Sequence, residues 1–207
     1  MTRLLHISAS PRGAKSESLA LAETFLSTYQ DINPNVEIET WNLWDDLPEF
    51  GPAAAAAKMA VFAGADLDSA EAVAWRDVIA TFERFDAADL YLFSVPMWNA
   101  SVPYKLKQFI DVVSQPGMVF GFDPVDGYTG LLRDKKAAVV YTSAIYGPGR
   151  GPSFGADFQA PFFRDWLTWA GINDVTEVRF GPNIATADAD AARDVARMQT
   201  RQAAKTF

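Results

Sequence analysis

Apolar and polar positions follow two rhythms along this chain. Short apolar runs at residues 3–8 (RLLHIS), 89–95 (DLYLFSV) and 137–143 (AAVVYTS) read as strands buried on both faces. Residues 36–43 (VEIETWNL) alternate, as a half-exposed or edge strand does, and residues 175–180 form a last strand. Helical spacing fills the intervals. It covers residues 18–29, residues 70–84 with Val73, Ile79 and Phe82 on one side, and residues 102–114 with Pro103 in the first turn. It returns in the aromatic-rich residues 158–170, ended by Gly171, and in residues 188–205. Strands separated by helices imply βαβ units with right-handed crossovers. The expected fold is a three-layer, doubly wound α/β sandwich around a mainly parallel sheet of five strands.

Two stretches break the rhythm. Residues 45–68 hold Pro48, Pro52 and an alanine run at 53–57, an insertion expected beside the sheet. Residues 115–133 carry Phe120, Phe122 and Gly130 and predict a β-hairpin turning at Asp126-Gly127. With no internal repeat and no low-complexity linker, residues 1–207 are expected to form one domain.

Composition removes whole classes of function. The chain has no cysteine, which excludes disulfides, thiolate zinc, iron–sulfur clusters and a cysteine nucleophile. A net charge of −8 argues against a nucleic-acid partner. No apolar run approaches the ~18 residues of a membrane span, and the apolar start is too short for a signal-peptide core, so a cytoplasmic protein is expected. Asp45-Asp46, Asp188 and Asp190 read as solvated charges, and nothing pairs them into a metal site. The aromatic content, 13%, suits either a core or a pocket for a flat ligand.

In an open α/β sheet, ligands sit beyond the carboxyl ends of the strands. The loop after the first strand offers Ser10, Arg12, Lys15, Ser16, Glu17 and Ser18 just before a helix, whose free N–H groups suit a phosphate. Ser16 serves equally as a simple N-cap. No Gly-Lys pair exists, so there is no P-loop, and no G-x-G-x-x-G follows a strand. After the strand at 89–95, Pro96 and Pro103 bracket Met97, Trp98, Asn99 and Ala100, a stiff turn able to hold a planar heterocycle by its rim or simply to bury a tryptophan. After the strand at 137–143 comes a long loop rich in glycine and proline.

Two rivals fail on these loops. Ser10 as a hydrolase nucleophile needs His6 as its base, but four residues of strand span ~13 Å. A phosphoacceptor domain needs acids where this chain has Ser8-Ala9-Ser10 and Ser94-Val95.

Taken together, the loops resemble those of the flavodoxin-like, FMN-dependent NADH:quinone oxidoreductases, also called FMN-dependent NADH-azoreductases. The most specific part is Pro96-Met97-Trp98-Asn99 followed by Lys105-Leu106-Lys107-Gln108-Phe109-Ile110-Asp111. There the family has a P-M-Y-N turn and a helix containing L-K-x-[FYW]-[FIL]-D. Gly117-Met118-Val119-Phe120, Gly130-Leu131 and Lys135-Lys136 also fall where the family has similar residues. The resemblance implies non-covalent FMN, its phosphate held by Ser10, Ser16, Glu17 and Ser18. It implies an isoalloxazine wrapped by Met97, Trp98, Asn99 and Ala100, its pyrimidine side closed by Ser143, Ala144, Ile145 and Tyr146. The chain departs from the family at that last point, where S-R-G-G is usual. Phe122 and Trp169 fall near positions that line the family's substrate pocket, though both could be core aromatics.

By the same resemblance the chain is a homodimer that takes hydride from NADH or NADPH and passes two electrons to a quinone or azo compound in a ping-pong cycle. No catalytic side chain is required, because the cofactor carries the chemistry. The alternative from another class is a flavodoxin-type carrier passing single electrons to a protein partner.

Overall fold

The computed structural model describes all 207 residues. Five parallel strands lie in the order β2-β1-β3-β6-β7: β1 (Arg3–Ser8), β2 (Glu37–Asn42), β3 (Leu90–Pro96), β6 (Lys136–Thr142) and β7 (Asp174–Phe180). Strand order reverses between β1 and β3, which opens a crevice at their carboxyl ends.

Alternate side chains of the central strands enter different cores. Leu4, Leu92, Ala138 and Val140 face α1 (Glu17–Ile32) and α7 (Ala189–Thr206), packing with Leu21, Phe25 and Ala196. Leu5, Ile7, Tyr91, Phe93, Val95 and Val139 face the opposite layer. There they meet α4 (Ser69–Asp86), α5 (Tyr104–Val113) and α6 (Ala160–Ala170) through Phe85, Phe109, Phe163 and Trp166. The expected three-layer sandwich and its five-stranded parallel sheet are both present.

The insertion is helical. Leu43–Asp46 forms a single turn, α2, and Pro52–Ala63 forms α3. Alanine has the highest helix propensity, Pro52 suits the first turn, and Gly64 closes α3 in the left-handed conformation at φ 64°. Ala54 and Ala57 bury against Trp75 and Val78 of α4 and Val112 of α5. The hairpin pairs β4 (Phe120–Asp123) with β5 (Gly127–Gly130) around Asp126. One helix start moves: α5 begins at Tyr104, with Pro103 as its extended N-cap at ψ 145° rather than inside its first turn.

Gly130 and Gly171 fix how the hairpin joins the body. A Cβ on Gly130 would lie 2.3 Å from the Gly171 nitrogen, so only glycine permits this approach. Leu132 N–H donates to Ala170 O across the same junction. No helix is long and apolar enough to cross a membrane.

Candidate functional site

The loop after β1 is built around serines. Ser10, Ser16 and Ser18 are all buried. Ser16 caps α1 by accepting from Leu19 N–H at 3.3 Å, and its hydroxyl lies 3.1 Å from that of Ser18. The backbone N–H groups of Glu17 and Ser18 donate to no acceptor in the protein, although Ser18 is 0% exposed. A buried amide such as that of Ser18 calls for a partner, and at the N-terminus of a 16-residue helix the partner it favours is an anion. The Glu17 carboxylate turns away and is held by Arg193 of α7 at 2.8 Å. Glu17 therefore offers the site its backbone, with its negative charge matched elsewhere.

One strand along, the turn after β3 is tight. Trp98 and Ser101 exchange backbone hydrogen bonds of 2.8 and 2.9 Å, with Asn99 at φ 47° and Ala100 at φ 67° between them. Two successive left-handed residues make a type I′ turn, in which a non-glycine residue is strained by about 1 kcal/mol. The strain persists because neighbours hold the turn. Met97 N–H donates to Thr142 O at 2.7 Å, Phe158 N–H to Ala100 O at 2.9 Å, and Gln159 Nε2 to Val95 O at 2.9 Å. The amides of Asn99 and Ala100 stay without an acceptor.

The loop after β6 closes the opposite side. Ser143 donates through Oγ to Tyr146 O at 2.6 Å. Behind it runs the segment after β7, where Asn183 N–H reaches Ser143 O and the amides of Ile184 and Ala185 reach Ala144 O. Gly181 makes room for this packing, since a Cβ there would sit 1.9 Å from Ser143 Oγ. The amides of Ala144, Ile145 and Tyr146 have no acceptor.

Between the two loops lies a cleft of about 220 Å³. Met97, Asn99 and Ala100 line one part, Ala144, Ile145 and Tyr146 another, and the segment Phe154, Gly155 and Ala156 completes it. The lining side chains are uncharged, and two sets of unengaged amides surround them. That chemistry suits a flat heterocycle with polar atoms on its rim. With the unengaged amides of Glu17 and Ser18 on the neighbouring strand's loop, the residues present fit a flavin mononucleotide.

Three expected residues lie outside this cleft. Trp98 does not line this cleft. Its ring packs 5.8 Å from Trp44 and 6.1 Å from Tyr104, centroid to centroid, along an adjoining hollow. Phe122 and Trp169 belong to a separate aromatic cluster, with Phe122 5.0 Å from Tyr128 and Trp169 4.6 Å from Phe120. His6 is buried between Ser94 Oγ at 3.1 Å and Thr40 Oγ1 at 3.4 Å, and burial lowers its pKa to about 4, so it stays neutral.

Sequence reasoning missed Phe154 to Ala156, Arg150 and the Gly181–Ala185 backing. Their roles arise from contacts between distant loops. The only local signal was the clustering of glycine and proline at residues 147–155.

The sequence matches the family described as flavodoxin-like fold over residues 2–203. It is 45% identical over 195 residues to a Ruegeria pomeroyi protein named FMN-dependent NADH:quinone oxidoreductase, covering 94% of this chain and 96% of that one. The structure is similar to the crystal structure of azoreductase from Bacillus anthracis strain Sterne, with TM-score 0.92, 25% identity and full coverage of both chains. An FMN-dependent NADH-azoreductase from B. anthracis Ames Ancestor, solved in complex with FMN, shares the fold at TM-score 0.90 and 23% identity, covering 100% of this chain and 99% of its own. A match spanning nearly every residue, from the serine loop to the last helix, places this chain in the family of FMN-dependent NADH:quinone oxidoreductases of flavodoxin-like fold.

Proposed function

We infer that the protein binds FMN non-covalently and passes two electrons from NADH or NADPH to a quinone or an azo compound. The observation that carries this reading is the strained Asn99-Ala100 turn facing Ala144–Tyr146 across a cleft of uncharged side chains, with unengaged amides on both sides. Strain of this kind persists where surrounding structure enforces it, and functional sites are where it clusters.

The chain's own residues bind and orient. Ser10, Ser16 and Ser18, with the amides of Glu17 and Ser18, hold the phosphate; the start of α1 adds its partial positive charge. Met97, Asn99 and Ala100 present backbone to one rim of the ring, and Trp98 stiffens the turn from outside through Trp44 and Tyr104. Ala144, Ile145 and Tyr146 meet the pyrimidine side, positioned by Ser143. FMN, when bound, would supply a two-electron redox cycle between reduced nicotinamide and the acceptor that replaces it. Each two-electron cycle draws one further proton, which water supplies, so no side chain serves as acid or base. Complete cleavage of an azo bond consumes four electrons and takes two such cycles.

The protein acts in this reading as a cytoplasmic homodimer. Phe122, Val125 and Tyr128 are exposed on the hairpin and offer a second copy an apolar surface. Phe122 and Trp169, outside the cleft of their own chain, serve a substrate pocket completed by that second copy. The electron-carrier alternative is less favoured, since the relatives at 36–45% identity carry oxidoreductase names.

An absorbance experiment tests the reading. The protein is mixed with FMN, gel-filtered and titrated anaerobically with NADH, then with a benzoquinone. Retained colour that bleaches without a radical band and returns with the quinone is the expected result. Colour retained but untouched by NADH or NADPH points to a carrier; no retained colour overturns FMN binding.

A further inference from the structure

We propose that Arg150 is a positioning residue that sets the pyrimidine side of the cleft by orienting the Ile145–Tyr146 peptide. Arg150 is a cation with no carboxylate within salt-bridge reach, and it is spent on backbone and aromatic contacts. Its Nη1 donates to Ile145 O at 3.1 Å, and its Nη2 donates to Ala185 O. Its guanidinium carbon lies 4.4 Å from the centroid of the Phe154 ring. Ile145 and Phe154 both line the cleft, whereas Ala185 belongs to the segment that backs it.

Burial does not fix these two lining residues, for Ile145 is 48% exposed and Phe154 44% exposed. Arg150 supplies the missing restraint. A rigid planar fork can hold two carbonyls and stack on a ring at once, which an ammonium cannot do. The further consequence follows from peptide geometry. In a planar trans peptide, the C=O of one residue and the N–H of the next point in opposite directions. Binding Ile145 O therefore aims the Tyr146 N–H away from the guanidinium, and this amide has no acceptor in the protein.

The role of that amide toward FMN rests on the functional reading above, but the restraint itself does not. Backbone ¹⁵N relaxation is measured on the FMN-free wild type, Arg150→Met, Arg150→Lys and Phe154→Ala. FMN affinity and the visible circular dichroism of the bound flavin are then compared. The expected result is a Tyr146 amide order parameter that falls from the rigid towards the flexible range in both Arg150 variants, with a smaller fall in Phe154→Ala. FMN affinity falls by about tenfold, the dichroic band changes, and the FMN-free melting temperature holds. An unchanged order parameter and affinity in Arg150→Met overturn the proposal, as does full restoration by Arg150→Lys, which would assign the effect to charge alone. A wild type that binds no FMN overturns the functional reading instead, and the relaxation comparison still decides the restraint.

Discussion

Arg193 holds the Glu17 carboxylate at 2.8 Å although 176 positions separate them in sequence. The bridge joins the start of α7 to the start of α1, and the same arginine also reaches Asp190. It keeps a negative charge from facing the start of α1, where the amides of Glu17 and Ser18 have no acceptor in the protein.

Arg193→Gln is expected to weaken FMN binding by about three- to tenfold, because the freed Glu17 carboxylate repels a phosphate within a few ångströms of the same terminus. Adding Glu17→Gln should restore the affinity. Fluorescence titration of both variants at low and high salt checks the sign, since screening should shrink the loss.

Replacing Ser16 and Ser18 together with alanine removes two buried hydroxyls beside the unengaged amides and the cap of α1. The cap alone costs about 1 kcal/mol of stability, which leaves the fold intact. FMN affinity should fall by about a hundredfold. A thermal melt alongside the titration separates the two effects, and unchanged affinity would remove the phosphate from this loop.

Ala100→Gly relieves the left-handed strain at φ 67° and should raise stability in urea unfolding by about 1 kcal/mol. Ala100→Val, β-branched at the same φ, should lower it. Any drop in FMN affinity in the stabler glycine variant would measure how much the fixed turn contributes to holding the ring.

His6 makes stability depend on pH. Its folded pKa, lowered by burial to about 4, lies below the unfolded value of 6.5, so the unfolded chain binds the extra proton first. Stability from this group is complete above pH 6.5 and is lost as pH falls towards 4, by about 3 kcal/mol in total. Unfolding of wild type and His6→Asn across that window should show a shallower slope in the variant.

The strands were legible because each is a run of apolar residues whose length matches the sheet. The expected bounds of 3–8, 89–95 and 137–143 differ from the observed ones by at most one residue at either end. The start of α5 was not, since the fixed φ of Pro103 suits a cap as well as a first turn. Pattern marked residues 45–68 only as an insertion; that its alanine run is a helix started by Pro52 and stopped by Gly64 emerges from the fold. Within the site, Asn99 and Ala100 were legible as a turn, but a type I′ turn reverses the chain in two residues, and pattern does not say where Trp98 then points. Glu17 and Arg150 depend on partners that only folding brings near.

The close contact of Gly130 with Gly171 has a mechanical meaning. The hairpin is set rigidly on the carboxyl end of α6, and the amino end of that helix carries Gln159, which grips β3 beside the strained turn. An 11-residue helix is a stiff rod of about 16 Å. If a second copy seats on the hairpin, its push is delivered through that rod to the walls of the cleft. Association and cofactor retention are then two readings of one equilibrium, and dilution should loosen the flavin before it unfolds the protein.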